Sequence, residues 1–217
     1  MISPTIPQNE TERLASLRSL KLLDTPAEER FDRITRIAAK LLNIPMTQIN
    51  LVDADRVWVK SSHGIDMKEN PRSTSFCGHT INGNQIMEVS NAKEDERFRD
   101  NPAVTGDPFI SFYAGMPIAG PTGLNVGTLC VLDKTPRVLS QEEKQLLKDL
   151  AEWAEIEINY QQLSTIIQDV KQKTGELEDK NAELKKLNDF MVGREMKMIE
   201  LKEKLARYEK QGNAQPA

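Results

Sequence analysis

DPFISFYAGMPIAGPTGLNVGTLCVLD, residues 107–133, reads as two β-strands joined by a turn rich in glycine and proline. Strict alternation puts Phe112, Ala114, Met116 and Ile118 on one face of the first strand and Tyr113 on the other. In the second strand it groups Val126, Thr128, Cys130 and Leu132 against Leu129 and Val131. Both faces are apolar or small, so the hairpin is expected mid-sheet and covered on both sides. Pro121, Gly123 and Asn125 supply the turn.

Towards the N-terminus, residues 1–9 hold Pro4 and Pro7 and read as a flexible arm. Asn9 with Glu12 forms a capping-box pattern for a helix carrying Leu14 and Leu17 and running to about Leu23. Thr25-Pro26-x-Glu28 is a second start signal. The helix after it is expected to bury Phe31, Ile34, Ala38 and Leu41 and to end before Pro45. Met46–Asp53, with Ile49, Leu51 and Val52, and Val57–Ser61 read as a strand pair with a polar turn. Residues 63–75 read as loop, Phe76–Ile81 as a short helix and Ile86–Ser90 as a short strand. Glu94–Asp107 is a charged, irregular crossing.

After the central hairpin, Ser140 with Glu143 opens the last helix through another capping box. Leu146, Leu147, Leu150, Ala154 and Ile158 form its sheet-facing stripe. The period then changes: Leu163, Val170, Leu177, Leu184, Met191, Met198 and Leu205 recur every seventh residue. Ile166, Leu187, Leu201 and Tyr208 fill part of a second seam that Lys173, Lys180 and Arg194 interrupt. That register predicts a thin, parallel two-stranded coiled coil and hence a homodimer. The tail, residues 211–217, reads as disordered.

The chain has 217 residues, 38% of them hydrophobic and 29% charged, enough for one domain with a solvated helical extension. A net charge of −4, with no basic face interleaved with aromatics, argues against nucleic acid as a partner. The two cysteines have no metal spacing, and only two histidines exist to support a metal site. No basic-then-apolar leader and no run near 20 apolar residues is present, so a cytoplasmic protein with reduced thiols and no membrane association is expected.

Five segments carry a resemblance: RVWVKSSHG (56–64), PRSTSFCGHTI (71–81), EDERFRDNPAVTGDP (94–108), FYAG-x-P (112–117) and G-x-x-x-GTLCVLD (123–133). In this order they resemble a bacterial signalling subtype of the GAF domain, the small-molecule-sensing relative of the PAS fold. The resemblance covers roughly Glu10 to Tyr160. The elements add up to an α+β fold, an antiparallel sheet flanked by helices with a long C-terminal coiled-coil helix; the resemblance implies the GAF/PAS-like strand order. The expected organisation is an arm (1–9), a GAF domain (10–160), a coiled-coil signalling helix (161–210) and the tail (211–217).

Cys77 and Cys130 are the redox candidates, because some GAF proteins reduce free methionine sulfoxide with cysteines. Otherwise both are small buried hydrophobes. Cys77 sits at a helix start that would favour thiolate, while Cys130 lies inside a buried strand. Cys77-Gly78-His79 also bears a distant likeness to bilin attachment sites, although the other bilin-contact segments are not recognisable. The resemblance makes residues 95–102 a wall of the ligand pocket. There Arg97 or Arg99 would hold an anionic ligand and Phe98 would close the pocket, or Asp95 and Arg97 would pair and brace a solvated loop. Ser111 stands where many relatives carry a basic residue. Trp58, Phe76, Phe112 and Tyr113 are core or cavity-lining aromatics, and Thr128 completes the candidate pocket with Cys77 and His79.

No P-loop, nucleophile elbow or zincin motif is present, nor is the signature of cyclic-nucleotide GAF domains. Only coil and tail follow Tyr160. The sequence therefore predicts that the chain is not an enzyme. It predicts a stand-alone GAF sensor that binds an unidentified small molecule and signals along the coil to a separate protein such as a kinase or cyclase. Residues 187–205 resemble linkers that precede kinase domains. The alternatives are a thiol-dependent enzyme of the free methionine sulfoxide reductase type and a ligand-free dimerisation adaptor. The sequence does not identify a cofactor.

Overall fold

The computed structural model describes residues 1–212, and the side chains of these except 161–163, 165, 206 and 208–212. Six strands form one antiparallel sheet: β1 (Met46–Val52), β2 (Arg56–His63), β3 (Glu69–Pro71), β4 (Met87–Val89), β5 (Phe112–Ala119) and β6 (Asn125–Asp133). Their order is β3-β2-β1-β6-β5-β4, so the β5–β6 hairpin lies inside the sheet, as its two apolar faces require. The helices are α1 (Glu10–Ser19), α2 (Glu29–Leu42), α3 (Phe76–Thr80), α4 (Pro102–Thr105) and α5 (Gln141–Gly212), with a 3-10 turn at Arg72–Thr74. The chain divides into two compact units, Met1–Leu163 and Ser164–Ala217.

The sheet has two unlike faces. On one, Ile49, Leu51, Phe112, Ala114, Ile118 and Leu129 meet the apolar stripes of α1, α2 and the first turns of α5. On the other, Tyr113, Cys130 and Leu132 meet α3 and the irregular segment before β5, through Phe76, Cys77, Phe98 and Ile110. Val126 departs from the expected grouping with Cys130. The register steps from Ile118↔Gly127 to Ala119↔Asn125, a bulge that skips Val126 and turns its side chain to the face of Leu129.

Several local expectations are corrected. In α2 the buried leucine is Leu42, 1% exposed, and Leu41 is 57% exposed. At about 100° per residue, Leu42 falls near the middle of the arc buried by Phe31, Ile34, Thr35, Ala38 and Ala39, whereas Leu41 falls beyond its edge, past Ile34. Asn43 in the left-handed conformation, rather than Pro45, ends the helix. Helix α1 stops at Ser19, and left-handed backbone at Lys21 and Asp24 lets Leu20 and Leu22 enter the core from a turn. Neither Asn9 nor Glu28 makes a side-chain cap. Glu28 and Thr25 instead serve the buried Lys60, whose Nζ lies 2.6 Å from each. The Ser140–Glu143 box does form: Ser140 N donates to Glu143 Oε2 at 2.8 Å, and Glu143 N donates to Ser140 Oγ at 3.2 Å.

The N-terminal arm, expected to be loose, lies against α3 and the crossing. Ile2 N donates to Arg97 O, Ile2 O meets His79 Nε2 at 3.0 Å, and Asn82 Nδ2 donates to Thr5 O at 2.9 Å. The Met1 amino group pairs with Asp100. In α5 the seam positions Val170, Leu177, Leu184, Met191, Met198 and Leu205 are each at least half exposed; the side chain of Leu163 and residues 213–217 lie outside the described residues. Among the described residues, no helix is long and apolar enough to cross a membrane.

Candidate functional site

The site follows from an oddity of β1. Its sequence, MTQINLV, is buried throughout, yet Gln48 and Asn50 alternate with Ile49 and Leu51. Alternation sends the two amides to the face opposite the main core. There they meet β6, where Gln48 pairs with Cys130 and Asn50 with Thr128. A cavity of about 310 Å³ opens above them. Its floor is Gln48, Asn50, Tyr113, Cys130 and Leu132 from the sheet, and α3 adds Phe76 and Cys77. Ile65, Met67, Asn70, Pro71 and Thr74 form one wall; Asn101, Pro102, Ala103, Asp107 and Ile110 form the other.

Side-chain caps hold the walls. Ser75 Oγ accepts from Gly78 N at 2.8 Å and starts α3, and Asn101 Oδ1 accepts from Ala103 N at 2.9 Å and starts α4. Asn101 Nδ2 also donates to Thr74 O, tying one wall to the other. Behind α3, Phe98 stacks on Phe76 at 4.1 Å and Phe76 on Tyr113 at 4.9 Å, with the edge of His79 5.0 Å from Phe98.

The floor is a connected polar group inside an apolar shell. Asn50 Nδ2 lies 3.3 Å from Cys77 Sγ, 3.2 Å from Cys130 Sγ and 3.3 Å from Gln48 Oε1. Tyr113 Oη shares a hydrogen bond with Thr80 Oγ1 at 2.8 Å and lies 3.7 Å from Cys77 Sγ. Gln48 Nε2 and Asn50 Oδ1 are buried without a partner. Hydrogen bonding from the Cys130 thiol is the main influence on Cys77; burial opposes it, and Thr128, Tyr113 and Asn50 add to it, bringing the thiol down to about 7. The same contact, with burial, pushes Cys130 up, and burial pushes the Tyr113 hydroxyl up.

Four expected site residues therefore line the cavity: Phe76, Cys77, Tyr113 and Cys130. Thr128 is fully buried on the same face, beneath the cavity rather than on its surface. The others lie elsewhere. Phe112 points to the opposite face of the sheet because it neighbours Tyr113 in the strand, and Trp58 packs on that same core. Asp95 and Arg97 pair with each other at 2.6 Å, Arg97 covers the ring of Phe98 at 5.0 Å, and neither charge reaches the cavity. The Arg97 hydrogen bond holds the Asp95 carboxyl below its usual range. Neither Arg97 nor Arg99 lines the cavity. Phe98 backs Phe76 rather than closing the cavity, and His79 faces the N-terminal arm. The sequence reading missed Gln48 and Asn50, although two polar residues at alternate positions of an apolar strand were a legible signal.

The GAF domain model matches residues 26–158. A cyclic di-GMP phosphodiesterase of Pseudomonas aeruginosa is 41% identical over 152 residues, 70% of this chain and 26% of that protein. The chain belongs to the GAF domain family. Its fold is similar to the blue-light absorbing form of the PixJ GAF domain of Thermosynechococcus elongatus, with a TM-score of 0.52, 13% identity and 73% and 95% of the two chains covered. It is also similar to the free methionine-R-sulfoxide reductase of Neisseria meningitidis, with a TM-score of 0.51, 12% identity and 74% and 98% covered. As a GAF module the chain is of the sensor and regulatory kind. The expectation that it is not an enzyme is overturned: a relative 41% identical to it over 152 residues is named for a catalytic activity. This GAF chain spans about a quarter of that relative's length.

Proposed function

We propose that this GAF module binds a small uncharged molecule in the cavity beneath α3 and passes its occupancy along α5 to a signalling output. The cavity carries the reading. Its volume of about 310 Å³ is at the low end for ligand pockets, its walls mix apolar side chains with Asn70, Thr74, Asn101 and Asp107, and its floor presents amide side chains with unpartnered atoms. A molecule bringing both a donor and an acceptor would complete Gln48 and Asn50. The lining holds no Lys or Arg and one carboxylate, Asp107, which disfavours phosphorylated ligands, cyclic di-GMP among them.

Strand β6, whose Cys130 and Leu132 line the cavity, leads through residues 134–140 into α5. The exposed apolar residues at every seventh position of α5 favour pairing with a second copy in a parallel coil. The named activity of the Pseudomonas aeruginosa relative makes cyclic di-GMP hydrolysis the favoured output, and a separate kinase or cyclase is the other candidate. The cavity disfavours a ligand-free adaptor.

Native mass spectrometry of the purified chain, compared with the denatured chain and with Asn50→Leu, tests this reading. The expected result is a dimer with an added mass that is lost on denaturation and missing from the variant. A monomer would overturn transmission through a coil. A dimer without added mass, together with no thermal stabilisation by a library of small neutral heterocycles, would overturn ligand sensing.

A further inference from the structure

We propose that Cys77 and Cys130 form an oxidation site: a hydroperoxide entering the cavity converts the pair to an intramolecular disulfide that ties α3 to β6. The pair is built rather than incidental. The residues come from distant parts of the chain, and both line the cavity. One amide nitrogen, Asn50 Nδ2, reaches both at 3.3 and 3.2 Å. Asn50 is 2% exposed, and its Oδ1 has no partner. A neutral thiol is a weak acceptor, so pointing a buried amide donor at two thiols is a poor arrangement for a merely structural core. A thiolate is a strong acceptor, and Asn50 with Tyr113 Oη, 3.7 Å from Cys77 Sγ, gives such an anion its donors without any nearby cation. The lowered Cys77 thiol and the raised Cys130 thiol fit one proton shared between two sulfurs.

The chemistry balances with hydrogen peroxide as oxidant. The Cys77 thiolate attacks one peroxide oxygen, an S–O bond forms, the O–O bond breaks, and the hydroxide released is protonated to water, leaving a sulfenic acid. Cys130 then attacks that sulfur. The S–S bond forms, the S–O bond breaks, and the departing hydroxide takes the Cys130 proton as a second water. Together the cysteines lose two electrons and two protons, and the peroxide is reduced to two waters. The second step becomes easier after the first, because the anion that held the Cys130 proton is gone. The disulfide would fix α3 to the sheet, making the shape of the cavity redox-dependent whether or not a ligand binds there.

The test treats the 217-residue, fully reduced chain with hydrogen peroxide, then unfolds it and counts free thiols with N-ethylmaleimide by intact mass. Untreated protein should take two labels. Treated protein should take none, be lighter by about 2 Da and give a linked peptide pair containing Cys77 and Cys130, all reversed by dithiothreitol. Cys130→Ser should stop at a sulfenic acid trapped by dimedone, and Cys77→Ser should react at least about tenfold more slowly. Two labels retained after peroxide, or a linkage only between chains, would overturn the proposal. Both readouts use the wild-type chain, so a variant that fails to fold does not spare it.

Discussion

Glu10→Gln should cost the GAF unit roughly 3 kcal/mol at neutral pH, and the loss should fade in acid. Glu10 opens α1 and takes both forks of Arg13 at 2.7 Å and Arg72 at 2.5 and 3.3 Å. The two guanidinium groups are buried and reach on to backbone carbonyls: Arg13 to Val52 O, and Arg72 to Asp53 O and Ala54 O. One carboxylate thus clamps α1 and the 3-10 turn that leads into α3 onto the β1–β2 hairpin. Burial alone pushes the Glu10 carboxyl up, but the hydrogen bonds from Arg13 and Arg72 outweigh it and hold it at about 2, against an ordinary 4.5.

At about 1.36 kcal/mol per pH unit that difference is worth roughly 3 kcal/mol, and because Glu10 is 18% exposed, solvent screening trims it only in part. The folded value is depressed, so the stabilisation is complete above about pH 4.5 and disappears as pH falls towards 2. Glutamine keeps the shape but leaves two buried cations without their anion. Urea unfolding followed by the fluorescence of Trp58 and Trp153, both within Met1–Leu163, reports this unit. The gap between wild type and variant should be near its full size at pH 7 and should shrink steadily as pH falls from 4.5 towards 2. A gap below about 0.5 kcal/mol at pH 7, or one that stays constant into acid, would refute the clamp.

Two further outcomes follow from the site. A Cβ at Gly127 would stand 2.2 Å from the Asn50 carbonyl oxygen, which is backbone of the neighbouring strand. Gly127→Ala must therefore spread β1 from β6 and should lose about 2 kcal/mol or more, seen as a lowered melting temperature; an unchanged melt would sink this account. For Cys77, a lowered thiol means that thiolate persists above about pH 7 and is lost below it. The groups facing it, Cys130, Thr128, Tyr113 and Asn50, carry no fixed charge. Iodoacetamide labelling of Cys77 should thus reach half its maximal rate near pH 7 in wild type and at clearly higher pH in Cys130→Ala. The same midpoint in both would show that Cys130 does not hold the thiolate.

The sheet was legible because its signals are local. Alternation in residues 107–133 and a polar turn at 53–56 specify two hairpins without help from the rest of the chain. Caps were less legible. Ser140–Glu143 formed although Arg137 also pairs with Glu143, because the carboxylate has one oxygen for each partner, but Glu28 and Thr25 were drawn to Lys60, a long-range partner that spacing cannot reveal. Arg97 and Asp95 show the same limit: their charge suggested ligand binding, and their pairing settles them as a brace. The meeting of Cys77 with Cys130 depends on α3 packing over β6, a contact between segments whose separation carries no pattern. Gln48 and Asn50 were missed for a different reason. Attention to apolar periodicity passes over polar residues that keep the period.

The cavity has a packing cause that also explains where function sits. Helices with continuous apolar stripes, α1, α2 and the start of α5, cover the core face of the sheet away from the cavity. The other face is covered by a five-residue helix, a four-residue helix, a 3-10 turn and irregular backbone. Such pieces cannot lay a continuous stripe along a strand, and each needs a side-chain cap, here Ser75 and Asn101, to satisfy its ends. A cover of this kind leaves a space over the buried Gln48 and Asn50, where a fully packed layer would leave no room for a partner to their unpaired amide atoms. Polar residues on β1 and short elements above them are therefore one arrangement: either without the other would fold poorly. Stability rests on the helix-covered face, so residues of the cavity are freer to change what it admits without unmaking the fold.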